Sequence, residues 1–76
     1  MPASAELSSL ISVGVNGQLM EVPAGCLLPQ LLELLNVPAD RVAVEIDKSI
    51  VRRRDWAHTP ITAGAQIEIV EFVGGG

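Results

Sequence analysis

The chain has 76 residues and a mass of 8.0 kDa, room for one domain, whose hydrophobic core must be thin because a chain this short buries only about 60% of its unfolded surface. Hydrophobic residues make up 49% and charged ones 18%, with a mean hydropathy of +0.41, which excludes a disordered tail and calls for a packed globule. Five Lys and Arg against nine Asp and Glu give a net charge of −4 and a pI near 4.6, so nucleic acid is not the expected partner.

A single cysteine, Cys26, can form neither an internal disulfide nor a zinc site. Met1 to Glu6 lacks the basic start and apolar run of a secretory signal, and no stretch of about 18 apolar residues could cross a membrane. A soluble, cytoplasmic protein without a membrane partner is expected. There is one histidine, His58, no tyrosine, and no cluster of His, Cys and carboxylates close in sequence. The sequence therefore predicts no catalytic residues, no metal and no bound cofactor. If the chain takes part in chemistry, it does so as the molecule acted upon.

The reading divides the chain into a flexible leader over 1–9, one domain over 10–73 and a glycine tail over 74–76. From Leu10, the apolar Ile11, Val13 and Val15 alternate with Ser12, Gly14 and Asn16, the period of a half-buried strand. Asn16-Gly17 is the favoured centre of a type I′ turn, so a second strand returns antiparallel from Gln18 to about Val22. Pro23, Ala24 and Gly25 break it. Leu28, Leu31, Leu32 and Leu35 then follow at helical spacing, with Pro29 in the first turn and Asn36 and Pro38 as the stop. Leu27, at the cap position, offers no side-chain oxygen, so a weakened first turn is expected.

Val42, Val44 and Ile46 form a third alternating strand, Asp47-Lys48 a turn, and Ser49 to Val51 a short fourth strand. A looser crossing from Arg52 to Pro60 follows, then a turn over Thr62 to Ala65 and a last strand from Gln66 to Val73. The sum is an α+β unit: a mixed sheet of about five strands with one helix packed on one face. The last strand is expected in mid-sheet, because Ile67 and Ile69 supply its core face while the other face still carries Val70 and Phe72. Unbroken alternation makes Val70 and Phe72 a docking patch; a bulge near Val70 would instead turn Phe72 inward.

That strand runs into Gly74-Gly75-Gly76. Glycine has no Cβ, so such an end can pass through a slot too narrow for other residues, with no side chain shielding its carboxylate. A carboxylate is a poor electrophile at neutral pH, and a partner would have to activate it, most simply by adenylation with ATP. The globular part would then supply orientation and binding energy while the catalytic groups sit on the partner. The plain alternative is a frayed, inert tail.

The segments Val15-Asn16-Gly17, Leu31-Leu32-Glu33-Leu34-Leu35, Arg41-Val42-Ala43-Val44-Glu45, Arg54-Asp55-Trp56, and Ile67-Glu68-Ile69-Val70 running into Val73-Gly74-Gly75-Gly76 together resemble the ThiS family. These are sulfur carriers of thiamine biosynthesis with the β-grasp fold of ubiquitin. The resemblance spans about Ile11 to Gly76. It implies that an E1-like adenylating enzyme of the ThiF type uses Mg and ATP to activate the Gly76 carboxylate. A persulfide donor then supplies sulfur to make a thiocarboxylate, and a thiazole synthase of the ThiG type accepts that sulfur. The resemblance further implies that Gly74 and Gly75 thread the tail into the partner's site. The departures are structural: Leu27 where the family often has Thr, Asp47 where Asn is common, and Ala65 where an acidic residue is usual.

Two relatives in fold give rival readings: the small subunit of molybdopterin synthase, with the same thiocarboxylate chemistry, and a ubiquitin-like modifier that would end on a target lysine. Glu71-Phe72-Val73 and Arg54-Asp55-Trp56 favour the thiamine carrier. Arg52 and Arg54 are candidates for steering an acidic partner, against the plainer reading of a solvated edge. Cys26 reads as a half-buried structural thiol, Trp56 as a lid over the sheet's end, and His58 as a loop residue without a nucleophile to activate.

Overall fold

The computed structural model describes residues 9–72. The ends of the three expected segments, including all of Gly74, Gly75 and Gly76, lie outside the described residues. Within them the chain forms β1 (Leu10–Val15), β2 (Gln18–Pro23), helix α1 (Leu28–Leu34), β3 (Val42–Ile46), β4 (Ser49–Val51) and β5 (Gln66–Glu71). Two 3-10 helices, Ala39–Arg41 and Arg53–His58, precede β3 and follow β4.

Both tight turns are type I′ in sign. Asn16 and Gly17 have φ of 50° and 84°, and Asp47 and Lys48 have φ of 51° and 72°. Mirror-image turns of this kind match the right-handed twist of the strands they join. The first uses the residues best suited to it; the second places a lysine where L side chains are strained.

The helix starts without a side-chain oxygen at its cap, as expected, yet its first turn is tied down by other means. Gln30 Oε1 accepts the Leu27 N–H at 2.8 Å, and the Leu28 N–H donates to the Thr59 carbonyl at 2.8 Å. Pro29 has no N–H to satisfy. A distant segment therefore replaces the cap that the local sequence lacks, and the Ile61 N–H adds a further bond to the Cys26 carbonyl at 2.8 Å. At the other end Asn36, at φ 58°, closes the helix: its N–H donates to Glu33 and that of Val37 to Leu32, the paired bonds of a Schellman stop.

The sheet order is β2-β1-β5-β3-β4, with β1 and β5 parallel and every other pair antiparallel. β5 thus lies in mid-sheet, flanked by one strand of each hairpin. Val13, Val15 and Val22 from the first hairpin, Val42 and Val44 from β3, and Ile67 from β5 are buried on one face against Leu28, Leu31 and Leu32 of α1. This is the α+β architecture expected from the sequence. Burying leucines of this size stabilises by roughly 1.5–3 kcal/mol each, which makes the α1 stripe a large contribution to a thin core.

The crossing after β4 is more ordered than its composition suggests. It folds as the Arg53–His58 helix because Trp56 is drawn into the core, where its Nε1–H donates to the Val51 carbonyl at 2.9 Å. Trp56, expected over the sheet's end, is a core residue bonded to the last residue of β4. Arg53 stacks on the indole at 4.6 Å and donates from Nη1 to the Ala39 carbonyl at 2.7 Å, so its charge is used inside the fold. Among the described residues, no helix is long and apolar enough to cross a membrane.

Candidate functional site

The tail that the sequence singles out follows β5 in the chain, so the site is built around the end of that strand. Ile67 and Ile69 turn toward the core, Ile67 fully and Ile69 partly buried, while Glu68 and Val70 face the other way. The pairing with β3 runs without interruption from Ile46 opposite Ile67 to Val42 opposite Glu71. There is no bulge near Val70. Val70 is accordingly 59% exposed and Phe72 57%, on the sheet face opposite α1. Large exposed apolar side chains standing together beside the root of a tail mark a surface suited to a partner.

The strand end is held on both sides. Phe72 N–H donates to the Arg41 carbonyl at 2.7 Å on the β3 side, and on the β1 side Asn16 Oδ1 accepts the Ile69 N–H at 2.8 Å. At the strand's start, Asp47 accepts the Gln66 N–H through Oδ1 at 3.0 Å and donates its own N–H to the Gln66 carbonyl at 2.8 Å. The two type I′ turns therefore each lend a side-chain oxygen to β5. Asp47, a departure from the family pattern, supplies the acceptor that Asn would.

The other predicted residues are placed separately. Arg52, in the connection after β4, and Arg54, in the second 3-10 helix, are both exposed; β4 lies across β3 from β5, so they do not extend the Val70 and Phe72 surface directly. Cys26 is buried, donates weakly to the Leu27 carbonyl at 3.5 Å, and has its thiol pushed up from the ordinary value of 9.0 by burial. His58 is exposed at the end of its 3-10 helix. A depression of about 360 Å³ lies beside Cys26, lined by Pro23, Ala24, Gly25, Gln30, Glu33 and Leu34. It sits at the end of the sheet where β1 begins, away from the direction in which β5 points. No group of three or more His, Cys, Asp or Glu able to hold a metal occurs among the described residues.

Sequence reasoning missed four exposed apolar side chains away from β5: Leu10 on β1, Leu19 on β2, Leu34 on α1 and Ile50 on β4, at 49%, 79%, 58% and 74% exposure. Leu19 and Ile50 share the outer sheet face with Val70; the cross-strand alternation could have placed them there once the strand order was known.

The sequence profile of the ThiS family matches residues 13–76, nearly the whole chain. The chain belongs to the ThiS family. Its fold is that of a ThiS-type β-grasp protein. The crystal structure of the thiamine biosynthesis protein ThiS from Geobacter metallireducens superposes with a TM-score of 0.77 at 29% identity, covering 87% of this chain and 100% of that one. The uncharacterised protein ycf40 of Porphyra purpurea is 32% identical over 66 residues, 87% of this ThiS-family chain and 93% of the relative. The thiazole synthases of Magnetococcus marinus and Paramagnetospirillum magneticum are 35% and 36% identical over 66 and 62 residues, 87% and 82% of this chain. The chain spans only 20% and 19% of the length of those two proteins.

Proposed function

We propose that this chain is a sulfur carrier of thiamine biosynthesis whose Gly76 carboxylate is the working group. The family match, which continues through Gly76, carries this reading. In it, a ThiF-type adenylating enzyme joins the carboxylate to AMP from Mg-ATP, releasing pyrophosphate. The terminal sulfur of a persulfide donor attacks the acyl carbon and expels AMP, and reduction of the resulting S–S bond by a thiol leaves the thiocarboxylate. A ThiG-type thiazole synthase then takes the sulfur. ATP and Mg belong to the partner's reaction, and the carrier itself supplies no catalytic side chain.

The fold supports this division of labour. Gly74 and Gly75 carry no side chains to obstruct a narrow slot, and Val70 with Phe72 offers a firm apolar hold a few residues before it. Two longer relatives named thiazole synthases contain a stretch similar to this chain, which supports thiazole synthase as the acceptor.

The test is the intact mass of the protein after incubation with Mg-ATP, the adenylating enzyme, a persulfide donor and a thiol. Exchange of one oxygen for sulfur is expected, and none in a variant lacking Gly76. Linkage to lysines of other proteins, or no change with active partners, would replace this reading with a protein modifier or an inert tail.

A further inference from the structure

The two edges of β5 are not equally used. Toward β3 every residue from Ile67 to Glu71 has a cross-strand partner, and Phe72 N–H adds one more bond to Arg41. Toward β1 the register covers only Gly14 with Gln66 and Val15 with Ile67, after which β1 turns away and the Asn16 side chain takes the Ile69 N–H. The main-chain groups of Gln66 and Phe72 point to the β3 side, so by alternation those of Ile67, Ile69 and Glu71 point to the β1 side. Beyond Asn16, the Ile69 carbonyl and the N–H and carbonyl of Glu71 face a side where no described residue pairs with them.

Sheets usually blunt an open edge with proline, lysine, a bulge or a covering segment. Ile69 to Glu71 has no proline or bulge and a single charged side chain, Glu71, while the exposed Val70 and Phe72 stand beside it. Gly76 lies only five residues beyond Glu71, about 18 Å even when fully extended, so any enzyme acting on the terminal carboxylate must bring its surface close to this edge. Activation has to come first, because the free carboxylate is unreactive.

We infer that the open edge of β5, from Ile69 to Glu71, pairs through its main chain with an extended segment of the adenylating enzyme. This rests on the carrier reading above. The order carbonyl, N–H, carbonyl matches an extended polypeptide, and such strand addition takes its affinity from the backbone while neighbouring side chains set selectivity. Val70 and Phe72 pack against the added segment, and Asn16 fixes where it must stop.

Two variants of the full chain separate backbone from side chain. Glu71→Ala keeps the N–H, whereas Glu71→Pro removes it and puts a ring into the slot on the unpaired side, where a strand tolerates proline. Binding to the adenylating enzyme by titration calorimetry should be within twofold of wild type for Glu71→Ala and at least tenfold weaker for Glu71→Pro, with both variants folded by thermal melting. Amide exchange at Glu71 in the wild type should slow on complex formation, and this measurement decides alone if Glu71→Pro does not fold. Wild-type affinity in Glu71→Pro, or unchanged exchange at Glu71, overturns the strand addition while a wild type that still gains sulfur keeps the carrier reading. A wild type that neither binds the adenylating enzyme nor gains sulfur overturns both.

Discussion

Asn16 Oδ1 accepts the backbone N–H of Ile69 at 2.8 Å, across 53 residues of sequence. The residue that turns β1 away from β5 also supplies, from its side chain, the next acceptor that β1 would have offered. Asn16→Gly keeps the positive φ but deletes the acceptor, whereas Asn16→Ala loses both. Chemical denaturation should show a loss of about 1 kcal/mol for the glycine variant and a larger loss for alanine. Amide exchange at Ile69 should quicken in both. Unchanged exchange there would show that the bond does not hold the strand end in solution.

Lys48 occupies the second position of the other type I′ turn at φ 72°, where a side chain costs about 1–2 kcal/mol relative to glycine. Lys48→Gly should therefore raise the denaturation midpoint, by the equivalent of about 1 kcal/mol, with Asp47 and its bonds to Gln66 unaffected. A lower midpoint would mean that the flexibility gained by the unfolded chain outweighs the relief of strain.

Phe72 is 57% exposed and lies outside the core, so Phe72→Ala should leave the melting temperature within a few degrees of wild type. Affinity for the adenylating enzyme should fall about tenfold or more, the behaviour of an aromatic anchor at an interface. Equal affinity for the two proteins would remove Phe72 from the docking surface.

Leu31 is fully buried at the centre of the α1 stripe. Its truncation to alanine should cost about 2–5 kcal/mol, a large part of the stability of so small a domain. Circular dichroism melting would detect this directly, and a loss below 1 kcal/mol would mean that the helix repacks over the gap.

Burial raises the Cys26 thiol above its ordinary value of 9.0, so the folded protein holds this proton more tightly than the unfolded chain does. The contribution is complete below pH 9 and is lost as pH rises from there through the folded-state value. Cys26→Ala should flatten this part of the stability profile. Alkylation of Cys26 at pH 8 should be slow until denaturant is added, and rapid labelling of the folded protein would contradict the buried position.

Most of the architecture was legible because its signals are local. Asn16-Gly17, the leucine spacing of α1, and the alternation of β3 and β5 each state their structure within a few residues. The Arg53–His58 helix was not legible, since its order depends on Trp56 entering a core built by distant segments and on Arg53 stacking over it. The cap of α1 was hidden for the same reason, being supplied by Thr59. At the site, alternation alone pointed to Val70 and Phe72 as exposed. The open edge beside them depends on where β1 turns relative to β5, a parallel register between the two ends of the chain that no local pattern encodes.

β5 joins two hairpins that have no other strand contact with each other, and it is synthesised after both. Until Gln66 to Glu71 leaves the ribosome, the halves of the sheet lack their common neighbour, and the core faces of β1 and β3 cannot be sealed. Closure of the sheet therefore waits for the last of its strands in chain order. A chain that ends before β5 lacks the one strand both hairpins share, so the two halves of its sheet stay unjoined.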